Sequence, residues 1–207
     1  MFVTIEGIDG SGKTSQVVRF GEYLTRQKIP NITTSEPRCG GYIPWTSKIL
    51  DIIINEDLDA GTQILLINAA RREHIEKVIR PAILSGKIVI CDRFIDSSIA
   101  YQGAGFGYNI ENIISLHETL QENYLPNITY LIDLPLEIAQ KRMENRGNKS
   151  KFDAMPEDFF NRVRQSFLKS AEGGSRFHII NGNQSEDEVF QDIITDFFQR
   201  NNYKNAI

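Results

Sequence analysis

Residues Gly7-Ile8-Asp9-Gly10-Ser11-Gly12-Lys13-Thr14 spell a complete GxxxxGKT phosphate loop, set between an apolar run at 2–5 and a segment with helical periodicity. Strand, glycine-rich loop and helix in that order make an anion cradle. The glycines let successive N–H groups turn inward, and the start of the helix adds its positive end to the same anion. Lys13 is placed to reach the β- and γ-phosphates of a nucleotide, and the Thr14 hydroxyl to ligate Mg²⁺. Asp9 is the odd member, because a carboxylate beside a polyphosphate is repelled unless a cation, a metal-bound water or an acceptor stands between them. It points to a second substrate.

Further apolar runs at 32–34, 88–91, 129–132 and 177–180 are short and rich in β-branched residues, and longer stretches with helical periodicity separate them. Helices are expected at 13–28, 63–84, 110–123, 136–146, 157–171 and 185–200, with Pro81, Pro135 and Pro156 near their ends or starts. Strands alternating with helices imply an α/β protein: a three-layer phosphate-loop fold with a five-stranded parallel sheet flanked by helices. No Pro/Ser/Gly-rich stretch divides the 207 residues, so one domain over 1–207 is expected.

In a parallel sheet ligands gather beyond the carboxyl ends of the strands, which directs attention to the segments that follow them. Asp92 ends the third strand, where such proteins place the carboxylate that steadies Mg²⁺, and Arg93 beside it is a fork of donors suited to a second phosphate. Ser97, Ser98, Tyr101 and Gln102 then offer hydroxyls, a ring and an amide close together. With Arg71 and Arg72 on the helix near 65–74, they suggest a pocket for a ligand both anionic and heterocyclic. His74 has no Ser or Cys nucleophile motif near it and reads as a satisfied structural or rim histidine. Arg142, Arg146, Lys149 and Lys151 crowd the end of one helix and the approach to the next, with Gly147 as a hinge, which suggests a mobile cover at about 142–155 over the transferring phosphate.

Composition narrows the field. A formal charge of −4, from 23 basic and 27 acidic residues, argues against a surface that coats nucleic acid. Cys39 and Cys91 are too few for a disulfide framework and form no metal-binding spacing, so a reducing, cytoplasmic setting is expected. No apolar run approaches the roughly twenty residues that a membrane span needs, and the strand at the amino end leaves no room for a targeting peptide.

Together these motifs resemble the thymidylate (dTMP) kinase family of phosphate-loop nucleoside monophosphate kinases. The resemblance runs through Glu6 to Gln16, Glu36-Pro37 with Gly40-Gly41, Leu65-Leu66 with Arg71 and His74, Asp92-Arg93 through Gly103, and Arg142 to Phe160. It implies transfer of the γ-phosphoryl of ATP to dTMP with Mg²⁺, in a homodimer. It places Asp9 toward the acceptor, Arg93 on the dTMP phosphate, Arg71 on thymine, Ser97 and Ser98 near the base edge and Tyr101 against the deoxyribose. Catalytic charge would come from Lys13 and from Arg142, Arg146 or Lys151 of the cover. The rival readings are a kinase for another nucleoside monophosphate or a deoxynucleoside, and a nucleotide-dependent switch ATPase. The chain departs from the family at Ile67, where an aromatic residue usually stacks on thymine, and at Leu50 and Phe106, where arginines are usual. Lys151 stands where the bacterial cover carries an arginine, and Arg38 and Lys48 are the nearby cations able to compensate for Leu50. The segment Asn181-Gly182-Asn183-Gln184 is the candidate for adenine contacts.

Overall fold

The computed structural model describes residues 1–144 and 151–200, apart from the side chains of Lys151 and Asp153. Five strands, β1 (Phe2–Glu6), β2 (Asn31–Ser35), β3 (Ile88–Asp92), β4 (Ile128–Asp133) and β5 (Phe177–Asn181), form one sheet in the order β2-β3-β1-β4-β5. Every neighbouring pair is parallel. The expected strands all occur, within one or two residues of the apolar runs.

β1 and β3 lie in the middle and are buried along their whole length, so both faces of each need cover. Alternation of side chains across the pleat divides them. Val3, Ile5, Ile88, Ile90, Tyr130 and Ile132 face α1 (Lys13–Arg26) and α9 (Glu186–Arg200), where Phe20 meets Phe197 edge to face at 4.9 Å. Phe2, Val89 and Cys91 face the other way, toward Ile64, Ile75 and Ile79 and toward Ile113. Of these, Ile64 lies on α3 (Ala60–His74) and Ile113 on α6 (Ile110–Gln121). α3 runs on through a wider π-type turn at Ile75–Ile79 into α4 (Arg80–Leu84), so the helix expected at 63–84 is present with an internal change of pitch.

Two elements were not expected. α2 (Thr46–Asn55) packs beside α3, burying Ile49 and Ile53, which are spaced i,i+4 on one face, although the isoleucine run at 52–54 favours a strand by propensity. After β3, the short α5 (Ile95–Ser98) leads into a second π-type turn at Ile99–Gly105. α7 (Leu136–Glu144) and α8 (Glu157–Gly173) complete the fold, and they pack with Ile8, Tyr101 and Leu131. Arg146 and the rest of 145–150 lie outside the described residues, as does 201–207.

Candidate active site

The loop between β1 and α1 has the geometry its spelling implies. Gly7, Gly10 and Gly12 all have φ between 82° and 143°, a region L side chains rarely adopt. Gly10 is also closed sterically, because a Cβ there would stand 2.4 Å from the Ala139 carbonyl oxygen in α7. Gly10→Ala is accordingly expected to destabilise the fold by about 2–3 kcal/mol, the scale of forced left-handed backbone with a clash, and to weaken ATP binding. A thermal melt beside an ATP titration checks this, and an unchanged midpoint would contradict it. Gly12 caps α1 without a side chain, so the first-turn N–H groups carry no side-chain acceptor and remain available to an anion.

Lys13 is buried and folds back over the loop, where Nζ donates to the Ile8 carbonyl (2.8 Å) and the Ser11 hydroxyl (3.4 Å). Burial, followed by the charge of Arg93, pushes its ammonium down to about 8, against the pull of Asp9, Asp92 and Glu6. Thr14 Oγ1 donates to Asp92 Oδ2 at 2.5 Å, and the other carboxylate oxygen of Asp92 is buried with no hydrogen-bond partner among the described residues. A hydroxyl and a carboxylate with an unused oxygen are hard donors of the kind Mg²⁺ takes, so the residues fit that ion.

Asp9 does not face the phosphate seat bare. Its Oδ1 accepts from Arg93 Nη2 (2.6 Å) and its Oδ2 from the Tyr101 hydroxyl (2.7 Å), which in turn accepts from the Asp9 amide (3.0 Å). Arg93 has φ 70°, and its Nη1 donates to Ser97 Oγ (2.9 Å) while its guanidinium lies 4.8 Å from the Tyr101 ring centroid. The Nε–H and one Nη1 hydrogen of this fork form no bond among the described residues, leaving donors for an incoming anion.

Two fully buried carboxylates hold this frame from behind. Glu6, at the end of β1, accepts from the Phe94 amide (2.7 Å) and from Ser97 Oγ (2.6 Å), so the Ser97 hydroxyl has its proton committed and its lone pair turned to Arg93. Burial and the charge of Asp96 raise Glu6 to about 8. Glu36, past β2, accepts from Arg71 Nε (2.8 Å) and lies 3.1 Å from His74 Nδ1, whose other nitrogen meets Thr34 Oγ1 at 2.7 Å. Burial acts to raise Glu36, and Arg71 with His74 outweighs it, holding the carboxyl below its ordinary range. His74 is thus structural, as expected.

Arg71 is only 1% exposed and donates through Nη2 to Ser98 Oγ (3.0 Å), yet its Nη1 has no partner among the described residues. An unpaired buried guanidinium nitrogen is costly in an isolated protein and calls for an acceptor. Arg71 borders a cavity of about 290 Å³ whose wall also includes Asp9, Glu36, Arg93, Ser97, Ser98, Tyr101 and Gln102. Leu50, Ile53, Ile54 and Ile67 make its aliphatic bank. Arg38 and Lys48 are exposed and do not border it. Phe106 packs against Phe159 at 4.9 Å instead of offering a cation.

Apart from Arg72, which turns away to donate to the Leu120 carbonyl (2.8 Å) and to pair with Glu76 and Glu122, the expected acceptor residues lie together on one cavity, and the expected nucleotide residues lie together on the loop, with Asp9 and Arg93 common to both. Arg142 sits elsewhere: it donates to the Gly182 (3.1 Å) and Gln184 (3.3 Å) carbonyls in the loop after β5. Arg146 and the side chain of Lys151 fall outside the described residues. Glu6, Glu36 and Phe152 fall within the motifs that carry the resemblance but were given no role in the site. Only the first two had a usable signal, an acidic residue at the carboxyl end of an apolar strand.

Residues 5–193 match the family described as thymidylate kinase. The thymidylate kinase of Clostridium novyi (strain NT) is 39% identical over 198 residues, covering 93% of this chain and 95% of that protein. That of Fervidobacterium nodosum is 36% identical over 197 residues, covering 95% and 98%. The crystal structure of thymidylate kinase from Ehrlichia chaffeensis superposes with a TM-score of 0.75 at 33% identity, covering 95% of this chain and 98% of that one.

Proposed function

The chain belongs to the thymidylate kinase family, and from that premise we propose that it moves the γ-phosphoryl group of ATP onto dTMP, giving ADP and dTDP for dTTP synthesis. The observation that carries this reading is the junction of phosphate loop and acceptor cavity through Asp9 and Arg93. Backbone amides from Gly7 to Thr14 and the Lys13 ammonium hold the ATP phosphates. Thr14 and Asp92 would hold Mg²⁺, which when bound neutralises charge on those phosphates. Arg93 turns its free donors to the acceptor phosphate while Asp9 keeps the fork oriented. Arg71 supplies its unused Nη1 to a base carbonyl, with Ser98 fixing its plane and Ser97 and Gln102 beside the base. Tyr101, pinned by Asp9, closes the sugar end. Arg146 and Lys151 bring cations from the cover at 142–155, while Arg142 braces the loop after β5 through the Gly182 and Gln184 carbonyls.

The acceptor is already an oxyanion, so positioning and charge neutralisation suffice and no strong general base is needed. Product analysis tests the reading: dTMP and ATP with Mg²⁺ should give dTDP and ADP in equal amounts, and no dTDP would overturn it. Because the cavity bank is aliphatic, the 5-methyl of thymine is expected to favour dTMP over dUMP in kcat/KM by roughly ten- to two-hundredfold, measured by parallel initial rates. Equal rates would mean that the methyl is not enclosed.

The same reading gives a homodimer in the cytoplasm. Leu65 on α3 is exposed and lines, with Tyr108 and with Leu116 on α6, a groove between these helices, an apolar face suited to a second copy. Cys39 and Cys91 are buried thiols without a disulfide, as suits a reducing compartment. Among the described residues no helix is long and apolar enough to cross a membrane. Sedimentation equilibrium should show a dimer that Leu65→Glu converts to a monomer, and a wild-type monomer would contradict the assignment.

A further inference from the structure

Phe152 lies on the short 3-10 turn Lys151–Ala154, immediately after the segment that carries the cover cations. Its ring is half-buried and borders the acceptor cavity together with Ile67 and Arg71. It packs against two separate hydrophobic clusters on either side of that cavity. On one side is the cluster of Ile49, Ile53 and Ala70, with Ile67 beside it. On the other is the cluster of Tyr101, Phe159 and Val163. Its ring meets Tyr101 at 6.3 Å and Phe106 at 6.1 Å, edge to face in both cases.

The other rings on the cavity wall are committed to the frame. Phe94 is fully buried, with the Arg71 guanidinium 5.1 Å from its centroid, and Tyr101 is held by Asp9 beneath the Arg93 guanidinium. α2 and α3 contribute no ring: beside the Arg71 guanidinium they offer the aliphatic Leu50, Ile53, Ile54 and Ile67. A planar heterocycle that reaches the unpaired Arg71 Nη1 therefore has Phe152 as the aromatic surface arriving from outside the sheet-and-helix frame.

We propose that Phe152 is a specificity-determining residue that covers the acceptor's base. This rests on the dTMP kinase reading and names how that site recognises its base.

The test compares wild type with Phe152→Ala, Phe152→Leu and the double variant Ile67→Phe/Phe152→Ala. Loss of a ring stacked on a base should raise the Kd and KM for dTMP by roughly ten- to a hundredfold. KM for ATP should stay within about twofold, since the nucleotide loop is untouched. Phe152→Leu keeps the apolar volume without the π face and should recover only part of the loss. Ile67→Phe supplies a ring from the opposite bank and should restore most of it. Inhibition by deoxyribose 5-phosphate, which has no base, should be the same in wild type and Phe152→Ala. Equal weakening of dTMP and deoxyribose 5-phosphate, full recovery with leucine, or an unchanged Kd for dTMP would each overturn the proposal while dTMP turnover by wild type stood. A wild type that fails to phosphorylate dTMP would overturn the kinase reading, and this inference with it.

Discussion

Replacing Lys13 with alanine is expected to lower turnover by roughly three orders of magnitude, the scale of removing a preorganised charge at the group in transfer. The ammonium is already desolvated and tied to Ile8 and Ser11 within the loop, so its charge sits at the centre of the cradle before any nucleotide arrives. Little reorganisation is needed when the phosphates bind. Removing it should leave the fold in place, because the side chain makes its bonds within its own loop and contributes nothing to the three main clusters of the core. Circular dichroism and a thermal melt should match wild type while single-turnover transfer collapses. Retention of full activity would remove Lys13 from the mechanism.

The second large effect is expected at Arg93. Arg93→Lys keeps the positive charge and loses the fork, so one ammonium must choose between Asp9, Ser97 and the acceptor phosphate. Asp9 then stands beside the phosphates without its neutralising partner, which adds repulsion to the lost contacts. kcat/KM for dTMP should fall about a hundredfold or more, in the range measured when one partner of a desolvated charge pair is truncated, while KM for ATP changes little. A loss confined to KM for ATP would place Arg93 on the donor side and contradict the division of the site drawn here.

The phosphate loop was legible because its chemistry is local: glycines at 7, 10 and 12 can be read directly as backbone conformation. Strands were legible for a similar reason, since each is a short β-branched run beside a turn. Arg71 and Arg93 were found by type and place, and their orientation was not. That orientation depends on Glu36 and Glu6, which lie 35 and 87 positions away in sequence and are brought close only by the parallel register of β1, β2 and β3. α2 was missed because the run of isoleucines at 52–54 favours a strand by propensity, and burial of Ile49 and Ile53 against α3 overrides that preference. The wider turns at Ile75–Ile79 and Ile99–Gly105 shift the helical period, so no periodic pattern anticipates which face Tyr101 and Gln102 present. Phe152 was hidden inside a run read for its charges.

The most direct test is ADP release from ATP and Mg²⁺ measured with dTMP, dUMP, dCMP, dGMP, UMP, thymidine and no acceptor. Strong stimulation by dTMP, weaker stimulation by dUMP and little by the others is the predicted result, because Arg71 and the aliphatic bank select the base and Arg93 requires a phosphate. ADP release that needs no acceptor, or that thymidine or another nucleotide drives better than dTMP, would contradict it.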